Sequence, residues 1–177
     1  MRRSLLTLLL FGLFGAGVEA GDDIQVVAIV KDRQVHVSFR LLNVFTEELW
    51  GAIHSGLPTT ITYQIELRRR AFLVDRTVAS ATVVASAQYD NLTRHHQLTR
   101  KVDGRGEEPR VTEDEGAVRA WMTEFERLPL FSTDGLEANE EYYVRVRART
   151  RPRTSWLFFW PWDRGVPTGS ARFTFVE

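Results

Sequence analysis

The chain has no cysteine, and Lys31 and Lys101 are the only lysines among its 23 basic residues. The first absence removes thiolate nucleophiles, cysteine-bound metals, disulfides and lipid attachment to a cysteine. It does not argue against export, because a domain of this length can carry its core without disulfides. The second absence, arginine at nearly every basic position, reads as composition bias. Excess charge is lacking too: Lys plus Arg and Asp plus Glu both number 23. Nothing therefore drives the chain generally toward nucleic acid. Catalytic signatures are also missing: there is no Gly-x-Ser-x-Gly elbow, phosphate-binding loop or dinucleotide fingerprint. His36, His54, His95 and His96 show no metal-ligand spacing, and neighbours such as His95 and His96 point to opposite faces of a strand. Neither a metal nor a cofactor is expected.

The one long apolar run is at the start. Arg2 and Arg3 precede the uncharged stretch Leu5 to Val18, and Val18-Glu19-Ala20 follows with small residues three and one before a cut. That layout predicts a secretory signal peptide over residues 1–20, cleaved after Ala20. The run is about 14 residues, short of the roughly 20 that span a bilayer as a helix. The mature chain is then exported, with the periplasm as its expected place and no transmembrane span. Residues 21–177 suit one domain with a sizeable core.

Within that domain, period two dominates. Ile24 to Val30 is β-branched, Lys31-Asp32-Arg33 turns, and Val35, Val37, Phe39 and Leu41 alternate with polar residues. This predicts a hairpin, although the turn lacks Asn-Gly. Ile61, Tyr63, Ile65 and Leu67 alternate in the next strand, Thr59 to Arg70. Val78 to Tyr89, Leu92 to Val102, Tyr142 to Arg149 and Ala171 to Val176 complete the strand set, with Asp103 to Glu108 as a loop. Two short helices are predicted. Phe45 to Ser55 has Thr46 as cap, Glu47 and Glu48 in its first turn and Gly56 after its end. Glu113 to Arg127, with Thr112 as cap, carries Val118, Trp121, Met122 and Phe125 on one face, with Pro129 as its stop. About seven strands and two helical insertions indicate an all-β sandwich of the immunoglobulin or fibronectin type III kind.

Two resemblances attach to particular residues. Leu136, Ala138, Tyr142, Val144, Val146 and Ala148 have the spacing of the fibronectin type III sixth strand, and Ser170, Phe173 and Thr174 look like its last strand. Tyr142 would then form a tyrosine corner, its phenol bonding to backbone upstream. Ala138 stands where that pattern has proline, and the helix near Glu113 is foreign to it. A second resemblance covers most of the mature chain. Glu48-Leu49-Trp50, Ser55 to Pro58, Tyr63 to Arg68, Tyr89 to Thr93, Tyr142 to Arg149 and the tryptophan-rich stretch Trp156 to Trp162 are similar to an exported bacterial family defined only as a domain of unknown function. His95 and His96 depart from its pattern. Members of that family are often encoded near an envelope sensor kinase, so the resemblance implies a signalling association and no established activity.

Two features could carry interactions. Trp156-Leu-Phe-Phe-Trp-Pro-Trp162 has apolar residues on both faces. It either folds over an open end of the sandwich as core, or offers Trp156, Phe159, Trp160 and Trp162 to a partner. Arg145, Arg147 and Arg149 share one sheet face, and could clamp anions or pair with Glu66 or Glu141 across strands. Arg68-Arg69-Arg70 has the same two readings, and the ligand reading gains if the two rows are adjacent. Glu47-Glu48 and Glu113-Asp114-Glu115 sit where helix starts favour negative charge, and Asp90 suits a turn more than an acid catalyst. The leading expectation is a non-catalytic envelope interaction module, specifically an accessory to a sensor kinase. A binder of small anionic ligands or lipid headgroups through Arg145, Arg147 and Arg149 is the alternative, and an enzyme of unidentified type the third.

Overall fold

The computed structural model describes residues 23–152 and 166–176. The expected leader at 1–20 and the stretch 156–162, with Trp156, Phe159, Trp160 and Trp162, lie outside the described residues.

Strands β1 (Ile24–Lys31) and β2 (Gln34–Leu41) form the expected hairpin. Its turn residues Asp32 and Arg33 both have positive φ, 51° and 58°. The tight twisted turn thus forms without Asn-Gly, because these two residues adopt the left-handed conformation such turns demand. Val35, Val37, Phe39 and Leu41 are buried, as their alternation requires. Helix α1 (Glu47–His54) begins at Thr46, whose hydroxyl accepts from the Leu49 N–H, and buries Leu49 and Ile53. Next come β3 (Thr59–Arg69), β4 (Arg76–Asp90), β5 (His95–Val102), the two-residue β6 (Arg105–Gly106) and β7 (Arg110–Thr112). Helix α2 (Glu115–Thr123) leads directly into β8 (Glu124–Ser132), and β9 (Glu141–Pro152) and β10 (Thr168–Thr174) close the order.

The strands make a β-sandwich. One sheet has three strands in the order β1-β2-β8; the other has seven, β10-β9-β3-β4-β5-β6, with β7 paired to β5. Every pair is antiparallel. Between the sheets, Tyr63, Ile61, Ile65, Val144, Val146 and Met122 are sealed from solvent. Phe39 stacks on Phe125 with ring centroids 4.5 Å apart, and Tyr63 meets both rings. Each such side chain contributes about 1.5–3 kcal/mol by leaving water.

Several expectations need correction. There are ten strands among the described residues, not about seven. The second helix is capped by Asp114 instead of Thr112 and stops at Thr123 instead of Arg127, and Pro129 lies inside β8 instead of ending a helix. Leu92 to Arg94 is a turn, and the expected loop after Val102 contains β6. The helix stops early because side chains from other strands take its last carbonyls. Tyr63 donates to Met122 O at 2.8 Å, while Arg100 donates to Trp121 O at 2.9 Å and Glu124 O at 2.7 Å. The Arg100 guanidinium also lies 4.3 Å from the Trp121 ring and 4.2 Å from the Phe125 ring. Burial lowers the pKa of its guanidinium, as it does for any cation taken from water.

Two backbone features fix the sides of the sandwich. At Gly169 on β10 an added Cβ would overlap the carbonyl of Ile24 on β1, so the two sheets meet there without room for a side chain. Across the molecule, β8 pairs with β2 through two register shifts and carries Pro129 opposite His36. Arg127 in the same strand has a φ of 48°.

Candidate functional site: an arginine-bearing sheet face

Strand β9 alternates cleanly. Tyr142, Val144, Val146 and Ala148 are buried, whereas Tyr143, Arg145, Arg147 and Arg149 face outward. Antiparallel register then builds the face strand by strand. Ser170 and Thr168 of β10 stand opposite Arg145 and Arg147 on one side. Glu66 and Gln64 of β3 stand opposite the same pair on the other, with Thr62 beside Arg149. Arg172 of β10 and Arg68 of β3 flank Tyr143. The result is a row of guanidinium groups bordered by hydroxyl and amide side chains.

Glu66 is the hub. Arg145 donates to its Oε2 at 2.6 Å, Arg68 approaches the same oxygen at 3.4 Å and Arg147 at 3.5 Å. The hydrogen bond from Arg145, reinforced by the three positive charges, holds the Glu66 carboxyl below the ordinary carboxylate range. A second small network adjoins it. Tyr143 donates to Asp75 at 2.7 Å, and Arg68 donates to the Asp75 backbone oxygen at 2.9 Å. Its Tyr143 hydrogen bond, with another from Ala71 N–H, lowers the Asp75 carboxyl. Glu66 and Asp75 together leave Arg68, Arg145, Arg147, Arg149 and Arg172 in excess, and among the described residues the buried Nε atoms of Arg68 and Arg145 have no partner. The face is therefore electropositive.

The expected row Arg145, Arg147 and Arg149 is thus brought together, and Arg68 joins it from the adjacent strand. Arg69 and Arg70 do not. Arg69 pairs with Glu137 and Glu140, and Arg70 with Glu141, at the rim. Of the two expected cross-strand partners, Glu66 serves Arg145 and Arg147, and Glu141 serves Arg70 instead. Arg172 and Tyr143 were not picked out from the sequence. The period-two pattern of β9 already put Tyr143 on the outer face, but Arg172 needs the register of β10.

Other chemistry lies elsewhere. A groove of about 540 Å³ runs between β7 and α2, lined by Leu98, Arg110, Val111, Ala117, Trp121 and Glu126. A smaller one of about 290 Å³ lies over β2 and β8. Neither contains the arginine row. Asp90 accepts from the N–H groups of Leu92 and Thr93, which lowers its carboxyl and builds the β4–β5 turn. His54 and His96, distant in sequence, have ring centroids 5.9 Å apart. Among the described residues no group of three or more His, Asp or Glu is arranged to hold a metal ion. No helix among them is long and apolar enough to cross a membrane.

Compared with known proteins, residues 22–163 match the family described as Domain of unknown function (DUF4390). No curated protein and no solved structure matches the chain.

Proposed function

The chain belongs to the DUF4390 family, and we propose that it is an exported, non-catalytic interaction module of the cell envelope that docks an acidic partner surface on its arginine-bearing face. The carrying observation is the charge imbalance around Glu66: two carboxylates, Glu66 and Asp75, among Arg68, Arg145 and Arg147, with Arg149 and Arg172 beside them. Such a face suits a broad acidic surface, which would be steered into place by the field and held by bidentate guanidinium contacts. Trp156, Phe159, Trp160 and Trp162 would supply the apolar anchors of the same contact. An envelope sensor kinase is the specific partner we favour. The strand orders β1-β2-β8 and β10-β9-β3-β4, with the Tyr142 phenol accepting from Glu137 N–H at 2.9 Å, support a fibronectin type III-like frame for such a module.

A small anionic ligand is the second reading, favoured by the shared outward face of Arg145, Arg147 and Arg149. Both grooves described above lie away from these arginines, which weighs toward a broad partner.

The test is photocrosslinking in cells from Ser170, beside Arg145, and separately from Trp160. The expected result is a single dominant envelope protein at both positions, lost when Arg147→Glu reverses one charge and weakened by added salt. Self-crosslinks alone, or an adduct indifferent to Arg147→Glu, would overturn the reading. Absence of any protein adduct, together with saturable binding of inorganic phosphate that Arg147→Glu abolishes, would favour the second.

A further inference from the structure

The end of the sandwich beneath α1 holds an arrangement that the arginine face does not use. His96 of β5 points inward and is only 2% exposed. Its ring lies 4.9 Å from that of Tyr89 on β4 and 5.9 Å from that of His54 on α1. His54 in turn stacks on Trp50 at 5.5 Å. Neither ring nitrogen of His96 has a hydrogen-bond partner among the described residues. Buried polar groups without partners are uncommon, and each is costly. A phenylalanine would fill the same space at no such cost, so the imidazole itself calls for an explanation.

The surroundings tie this ring to the elements that cover it. His54 Nε2 lies 3.1 Å from Glu115 Oε1, and His95 Nε2 lies 3.0 Å from Glu113 Oε1. Both contacts join the His96 neighbourhood to the segment entering α2. We propose that His96 is a protonation-operated latch: its neutral ring lets α1 and the β7–α2 segment seat against the large sheet, and a proton on it unseats them.

The charges facing His96 decide the direction. Burial opposes the imidazolium most strongly, and the neighbouring His54 opposes it further once charged. Tyr89 offers a phenol ring without charge. The Thr112 backbone on β7 and the Glu115 carboxylate on α2 favour the charged ring, Thr112 without hydrogen-bond geometry and Glu115 while engaged with His54. His95 faces the opposite side of the strand. The balance holds His96 below its ordinary 6.5. At the rim, the His54–Glu115 and His95–Glu113 pairs are largely exposed, and exposed pairs contribute little. The buried ring therefore prevails.

The sign follows by linkage. The unfolded or opened state binds the proton first, near pH 6.5, while the seated state still resists it. Stability of the latch is complete above that value and declines as pH falls from there to the folded pKa. Below the folded pKa there is no further loss. Uptake of one proton limits the change in opening constant to about tenfold per pH unit.

The experiment is amide hydrogen exchange on the purified protein at pH 7.5 and 5.5, corrected for intrinsic exchange. Protection in α1, β7 and α2 is expected to fall at the lower pH, while β3 and β9 keep theirs. In His96→Phe the pH response of those three elements should vanish, with His54→Gln retaining most of it. Equal responses in wild type and His96→Phe, or a uniform loss across β3 and β9, would overturn the latch. Because His96→Phe could fail to fold, a ring-proton NMR titration of the wild type stands beside it. His96 is expected to titrate below the ordinary 6.5, and titration at or above that value would also overturn the proposal.

Discussion

The Tyr63 hydroxyl, on the central strand β3, donates to the Met122 carbonyl in the last turn of α2 at 2.8 Å. That bond and the three-way engagement of Arg100 give the helix its end, and they come from strands remote in sequence. Tyr63→Phe should lower unfolding stability by about 1–2 kcal/mol, the cost of orphaning a buried acceptor. Burial pushes the Tyr63 phenol well above its ordinary range, so it remains a donor throughout neutral and mildly alkaline pH. Urea denaturation at pH 7 and pH 9 should give the same difference.

Arg100→Met should cost more, about 2–4 kcal/mol, because the carbonyls of Trp121 and Glu124 lose their donors together. Arg100→Lys should not rescue it, since an ammonium group cannot fork between two carbonyls and stack on Trp121 and Phe125. Combined with Tyr63→Phe, the loss should be non-additive by about 0.5–3 kcal/mol, because both side chains close one helix end. A double-mutant cycle in urea checks this; strict additivity would contradict a shared cap.

Two glycines should respond in opposite directions. Gly169→Ala drives a methyl group into the Ile24 carbonyl, and backbone cannot rotate away as a side chain would. A loss of about 1–3 kcal/mol is expected, as for overpacked cores. Gly51→Ala, in α1 with nothing within 4 Å of the added carbon, should gain about 0.5–1 kcal/mol in helix propensity. Thermal melting of both variants would show whether the contact at Gly169, and not glycine replacement in general, sets the difference.

Glu66→Gln tests the hub of the arginine face. The folded Glu66 carboxyl lies below its ordinary 4.5, so its contribution is complete above that value and disappears as pH falls through the folded value. The variant should be less stable than wild type at pH 7, and the gap should close as pH falls below 4.5. The decline tied to His96 begins nearer pH 6.5. In denaturant midpoints across pH 3–8, Glu66→Gln should reduce, not remove, the decline below 4.5, which Asp75 and Asp90 share, and leave the onset near 6.5 unchanged.

Strand alternation made most of this frame legible. The hairpin of β1 and β2, the inward set of β3 and the outward arginines of β9 follow from period two alone, and Thr46 marked the start of α1 correctly. The end of α2 was not legible, because no local residue creates it: Arg100 and Tyr63 do so from β5 and β3. Pro129 misled for a related reason. A proline reads as a helix stop, yet at a sheet edge it gives up an N–H that no neighbouring strand needs. In the arginine face, Arg145, Arg147 and Arg149 could be named from spacing, and Glu66 was one of two named partners. Choosing it required the β3–β9 register, which also separated Arg68 from Arg69 and Arg70. The meeting of His54 with His96 depends on α1 folding back over the β4–β5 end, and neither local sequence reports that.

The irregular pairing of β8 bears on how these molecules behave in a crowd. An exposed strand with a straight, complete row of N–H and C=O groups invites another chain to add to it. Pro129 breaks the donor row, and the two register shifts against β2, with Arg127 at positive φ, bend its line. At the opposite side of that sheet, Ile24 of β1 is pressed against Gly169. The small sheet is thus blunted at one edge and backed by β10 at the other. That protects a protein without disulfides from joining its copies edge to edge at high local concentration.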